Sequence, residues 1–230
     1  MNQPIQKKLL KPYSFIYRSL YPIRGKKMKQ LFVVIIGILF LSFQLKDHVD
    51  YVSGLIPTKT GAIFAFTSEE NSFLLHLESE NIQPLEARNF VQVDNWVFQA
   101  FNLEFENPKN VDLKIENEMK KSLSQYVMYE IDYFKNELQI QCDSLKLNWG
   151  KINDKYFYFW YFNMPDTIEN ISKQMYLTTI CHNQFLNMSI PIEKDSDFKS
   201  GKDFLFKVAK TLEINDFPVS FEELNRKHNE

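Results

Sequence analysis

Glycine is scarce in this chain. Only Gly25, Gly37, Gly54, Gly61, Gly150 and Gly201 occur among 230 residues, and no two are spaced to make G-x-G-x-x-G or G-x-x-x-x-G-K-[ST], the loops whose bare backbone amides cradle phosphate. Rossmann and P-loop nucleotide sites are thereby excluded, and no other cofactor signature is present. Cysteine is rarer still: Cys142 and Cys181 are too few for a four-thiolate zinc site or an iron–sulfur cluster. His48, His76, His182 and His228 are dispersed, and neither H-E-x-x-H nor G-x-S-x-G occurs. Asp195-Ser196-Asp197 departs from the calcium-loop template, because Gly201 falls at its seventh position and Phe206 at its twelfth. It reads instead as a polar turn leading into a helix. The sequence therefore assigns no catalytic, cofactor-binding or metal residue.

Acidic residues are absent from the first 44 positions, where Lys7, Lys8, Lys11, Arg18, Arg24, Lys26, Lys27 and Lys29 all lie. The whole-chain charge of −2 thus hides a body near −10 over 45–230. Such a body disfavours phosphate-backbone contact, and nucleic acid is not expected as a partner. The basic start runs into the uncharged stretch Leu31 to Phe43, which has the order of a secretory signal, a basic n-region and then an apolar h-region. Thirteen residues rise about 20 Å as a helix, short of the roughly 30 Å hydrocarbon core. A cleaved signal fits the length better; an uncleaved anchor over 31–43, with the body outside the membrane, is the alternative, helped by the positive charge before the run. Met28-Lys29-Gln30 followed by that run is itself a compact signal peptide. The expected order is an upstream extension over 1–27, a signal peptide or membrane anchor over 28–44, a tether over 45–60, and a single α+β domain over 61–230.

Within that domain, Ala62 to Phe66 and Phe73 to Leu77 are β-prone runs around Glu69-Glu70-Asn71-Ser72, a hairpin pattern. Trp96 to Phe105 reads as another strand. Met119, Leu123, Tyr126, Val127, Glu130, Ile131 and Phe134 then recur at three and four residues, which predicts an amphipathic helix. Leu138–Cys142, Leu145–Trp149, Tyr156–Phe162, Met175–Cys181 and Phe185–Ile192 follow as strands, with Asn153-Asp154 and His182-Asn183-Gln184 as turns of an antiparallel meander. A closing helix carries Phe204, Leu205, Val208, Ala209 and Leu212 on one face, with Ser200 to Asp203 as a capping box. The fold class is α+β: an antiparallel meander flanked by two main amphipathic helices.

The stretch Lys173 to Ile190, a hairpin, followed by the Phe204 to Leu212 helix, resembles the Mog1/PsbP-like proteins, and in layout the resemblance covers residues 60–213. It implies an antiparallel sheet flanked by helices. It implies no chemistry, since those proteins look like adaptors, chaperones and assembly factors with diverse partners.

Tyr156 to Phe162 is a run of seven aromatics. In a strand, Tyr156, Tyr158, Trp160 and Phe162 project to one face and Phe157, Phe159 and Tyr161 to the other. One reading is a central strand covered on both faces; the other is a ligand platform, with Tyr158 and Trp160 as its candidate residues. Cys142 and Cys181 each fall in a predicted strand of an exported domain, where a disulfide between them or two buried thiols are the alternatives. Asn170 and Asn187 sit in N-x-[ST] triplets, to which the bacterial-looking start gives little weight. The resulting expectation is an exported, non-enzymatic protein of a bacterial periplasm or cell envelope that binds a protein partner or a small apolar ligand, with no cofactor. The alternative is an exported hydrolase whose active site lacks a sequence signature. A binding site is expected on the aromatic strand or at the sheet edge.

Overall fold

The structure, a computed structural model, describes residues 51–86, 89–104 and 115–229. The export-like stretch 31–43 lies outside the described residues. Among the described residues no helix is long and apolar enough to cross a membrane.

Eleven strands and three helices follow in the order β1 (Val52–Thr58), β2 (Gly61–Thr67), β3 (Ser72–Glu78), β4 (Ile82–Pro84), β5 (Phe90–Val93), β6 (Trp96–Glu104), α1 (Glu116–Asn136), β7 (Asp143–Ile152), β8 (Lys155–Asn163), β9 (Ile171–Cys181), β10 (Gln184–Glu193), α2 (Phe198–Lys210), β11 (Glu213–Asn215) and α3 (Phe221–Asn229) among the described residues. The strands form two sheets, β1-β2-β3-β11 and β4-β5-β6-β10-β9-β8-β7, antiparallel throughout. This is an α+β body dominated by sheet, and β7 to β10 are laid down as a meander.

Period-two alternation sends each inner strand to two faces. From β2 and β3, Phe64, Phe66, Phe73, Leu75 and Leu77 join Leu177, Leu186, Met188 and Ile190 of the larger sheet, and Leu205 and Val208 of α2, in one apolar core. Ile63, Ala65 and Leu74 point the other way and pack on Leu224 of α3. Leu123, Val127 and Ile131 of α1 are each buried, as are Leu205, Val208 and Leu212 at α2. Local signals set the turns: Asn153 and Asp154 take left-handed φ values of 48° and 63°, which a tight hairpin needs and Asn and Asp tolerate.

Several expectations change. Residues 45–60 are not a tether throughout, because Val52–Thr58 pairs along its length with β2. Pro57 is tolerated there because β1 is an edge strand. Leu138–Cys142 is not a strand. The amides of Leu138 and Ile140 return to Tyr133 O at 3.3 Å and Phe134 O at 2.9 Å, so the end of α1 claims them. The cap of α2 is Asp197, whose carboxylate accepts from the amides of Lys199 at 3.2 Å and Ser200 at 2.9 Å; Ser200 already lies inside the helix. Beyond the two expected helices, α3 and a second sheet are present.

Candidate functional site

The two faces of the seven-stranded sheet differ in chemistry. Facing the common core are apolar side chains. The face toward α1 also buries Thr178 and Asn187, and polar groups run through it in a chain. Trp160 Nε1 donates to Thr178 Oγ1 at 3.0 Å, Thr178 Oγ1 donates to Asn187 Oδ1 at 2.9 Å, and Asn187 Nδ2 donates to Tyr126 OH of α1 at 3.1 Å. Burial pushes the Tyr126 and Tyr176 hydroxyls well above their ordinary range. Trp160 has no solvent exposure and stacks on Tyr176 with centroids 4.0 Å apart. Tyr158 is also buried, and its hydroxyl accepts from Ser124 of α1 at 2.9 Å. The two residues read as a ligand platform therefore present no open surface, because α1 lies over them.

Where the aromatic face runs out from under α1 it becomes accessible. Trp149 of β7 and Tyr156 of β8, both half-buried, stack at 4.9 Å with 9° between their planes. Glu116, in the first turn of α1, accepts from Trp149 Nε1 at 3.4 Å and from the Tyr156 hydroxyl. Those two donors hold its carboxyl below the usual range. Lys120 sits 5.9 Å from the Trp149 ring centroid and Lys151 4.4 Å from that of Tyr156, each placed to interact with a π-face.

This corner lies on the edge of the sheet. Strand β7 is ten residues long and, among the described residues, pairs with β8 alone. The other outer strand of that sheet, β4, has three residues. From Ser144 to Ile152, β7 carries Lys146 and Lys151 and no carboxylate, and Leu147 is 43% exposed. The run Leu145–Trp149 is strand-like in sequence, but nothing in it marks Trp149 out, since edge position depends on pairings that no local pattern encodes.

A second recess of about 380 Å³ lies where β3 meets the α2–β11 junction, lined by Thr58, His76, Lys210, Thr211 and Glu213. His76 Nε2 is 3.1 Å from Glu213 Oε1. The neighbouring Thr211 hydroxyl accepts from the His76 amide at 2.8 Å and donates to Val208 O at 2.7 Å. It is engaged with backbone rather than with the imidazole, so Thr211 is not placed as a nucleophile activated by His76. Among the described residues no group of three His, Cys, Asp or Glu side chains is arranged to hold a metal ion.

The cysteines are separate free thiols, both buried. Thr178 pairs with Tyr158 and Cys181 lies three residues beyond it, whereas Cys142 precedes Asp143, which pairs with Asn163 at the far end of β8. The interval is about 25 Å of strand, against roughly 4.4–6.8 Å between Cα atoms in a disulfide. Burial pushes the Cys142 thiol up to about 11 and raises that of Cys181 as well. Comparison with known proteins returns no match, whether to a family model, a curated protein or a solved structure.

Proposed function

We propose that this is an exported, non-enzymatic binding protein of a bacterial cell envelope, and that it takes an extended, carboxylate-bearing segment of a partner protein along β7. The observation that carries the reading is the ten-residue outer strand, paired on one side among the described residues, ending in the Trp149–Tyr156 corner. A strand edge offers alternate amides and carbonyls to an added chain, and flanking side chains set the selectivity. Aromatic anchors supply much of the contact energy at interfaces. Lys146, Lys151 and Lys120 favour acids in the added chain. The same lysines oppose pairing of two identical edges, which would bring four strand lysines into one ribbon.

Export rests on the basic and apolar order of residues 28–44. The resemblance of the 173–213 sequence to Mog1/PsbP-like proteins bears on the fold and names no partner. A small apolar guest is less well served, because polar and charged side chains outnumber Ala62, Leu77 and Leu212 in the lining of the recess at His76. The rival hydrolase reading would use His76 and Glu213 in that recess, and the tied Thr211 hydroxyl is what weighs against it.

The test is calorimetric titration with two peptides of alternating valine and threonine, one ending in aspartates and one in lysines. The acidic peptide should bind and lose affinity with salt, and K146E/K151E should reverse the preference by about tenfold or more. Equal affinity for both peptides, unaltered by the double substitution, would contradict the reading. Fusion of residues 28–60 to a reporter active only outside the cytoplasm tests export separately.

A further inference from the structure

Helix α1 carries one carboxyl group into the interior. Glu130 belongs to the stripe that includes Tyr126, Val127, Ile131 and Phe134, and it is 2% exposed. The Tyr126 hydroxyl bonds to it, while among the described residues Glu130 Oε2 has no partner. Tyr176, reaching up from β9, has an equally buried hydroxyl without a partner and lies close enough to sense a charge on Glu130. An ionised carboxylate would sit here with one oxygen unsolvated and unpaired. A protonated one carries no charge and gains a donor in an interface that holds spare acceptors.

We propose that the docking of α1 on the seven-stranded sheet is governed by a single proton on Glu130, so that the helix is held while this carboxyl is protonated and released as it ionises. Among the described residues, the groups around it offer no counter-charge. Tyr126, Tyr129 and Tyr133 of its own helix and Tyr176 of β9 are the titratable neighbours that interact with it, and Glu137 at the helix end bears on Tyr129 and Tyr133. From β8 and β10 the buried groups on this face are Tyr158, Trp160, Phe162, Phe185, Asn187 and Ser189, none of them a carboxylate or a base. Cys142 bears on Tyr176 and is itself a high-pKa thiol.

Burial accordingly pushes the Glu130 carboxyl up to about 8, opposed by the hydrogen bond from Tyr126. Once α1 lifts, the carboxyl returns to its ordinary value of 4.5. A group whose value is higher in the closed state stabilises that state fully below the open-state value, and the benefit is lost as pH rises toward the closed-state one. The open-to-closed ratio of α1 should therefore increase about tenfold per pH unit between roughly 5 and 8 and level off above. The inference concerns α1 alone and does not depend on what β7 binds.

Amide hydrogen exchange of the full chain, corrected for the intrinsic pH dependence of exchange, tests it. Protection of the amides from Leu123 to Phe134 should fall about tenfold per pH unit from pH 5 to 8, ending below that of β9 and β10, and Glu130→Gln should abolish the slope. A pH-independent α1, a slope that survives in Glu130→Gln, or α1 and sheet amides exchanging together at every pH would overturn it. Should Glu130→Gln fail to fold, carbon-13 NMR titration of the wild-type Glu130 carboxyl decides: a midpoint above about 7 supports the inference, and one near the ordinary value of 4.5 overturns it.

Discussion

The indole N–H of Trp160 donates to the hydroxyl of Thr178 at 3.0 Å inside a buried, aromatic-walled interface. That hydroxyl spends its own proton on Asn187, so each member of the chain is satisfied by the next. Truncating Trp160→Ala should cost about 3–5 kcal/mol, the range for deleting a large core aromatic. Thr178→Val preserves shape but strands the indole donor and one acceptor of Asn187, which should cost about 1–3 kcal/mol. Urea denaturation of both variants checks the order.

Gly61 opens β2 at a φ of 152°, and a Cβ built on it would lie 1.9 Å from Leu77 O across the ladder. Because the obstacle is backbone of a paired strand, neither side can turn away. Gly61→Ala should destabilise by about 1–3 kcal/mol. At Gly150 a Cβ meets nothing within 4 Å, so Gly150→Ala should leave the thermal midpoint nearly unchanged.

Both cysteines should be silent toward a thiol reagent in the native state. At pH 8 a thiol held near 11, as Cys142 is, is ionised in only about one molecule in a thousand, and thiolate is the reactive form. Two thiols should be titrated after denaturation without reductant. Recovery of none under those conditions would mean a disulfide.

Replacing the buried carboxyl should change the shape of the stability profile with pH. Between roughly pH 4.5 and 8 the wild type should lose about 1.4 kcal/mol per pH unit through Glu130, discounted by any relaxation around it. Glu130→Leu has no such loss. Its urea midpoint relative to wild type should therefore rise from pH 5 to pH 8; a constant difference across that range would show that Glu130 does not titrate there.

What was readable in the sequence is what depends on near neighbours. The stripe from Leu123 to Phe134 and the alternation along Tyr156 to Phe162 reflect the geometry of one element, and both faces appear where periodicity puts them. Even Glu130 was visible as a carboxylate on an apolar stripe, though its isolation became evident only with Tyr176 opposite. The misreadings share one cause. Gly54 and Pro57 look like loop, yet β1 survives through its pairing with β2, and the ring of Phe221 from α3 lies against Gly54, 3.1 Å from where a Cβ would stand. Leu138 to Cys142 has strand composition, but the amides of Leu138 and Ile140 are committed to the helix before it. The Trp149 corner was hidden because exposure at a sheet edge is a property of strand order.

The most direct test of the account is residue-resolved amide exchange of β7 with and without a saturating acidic peptide. In the free protein the outward amides of Asp143–Ile152 should exchange quickly, and on binding alternate amides along the strand should become protected together with a shift of the Trp149 indole N–H, leaving the amides of β1 and β4 unchanged. Protection that appears elsewhere, or binding that leaves β7 and Trp149 unaltered, would contradict a binding role for this edge.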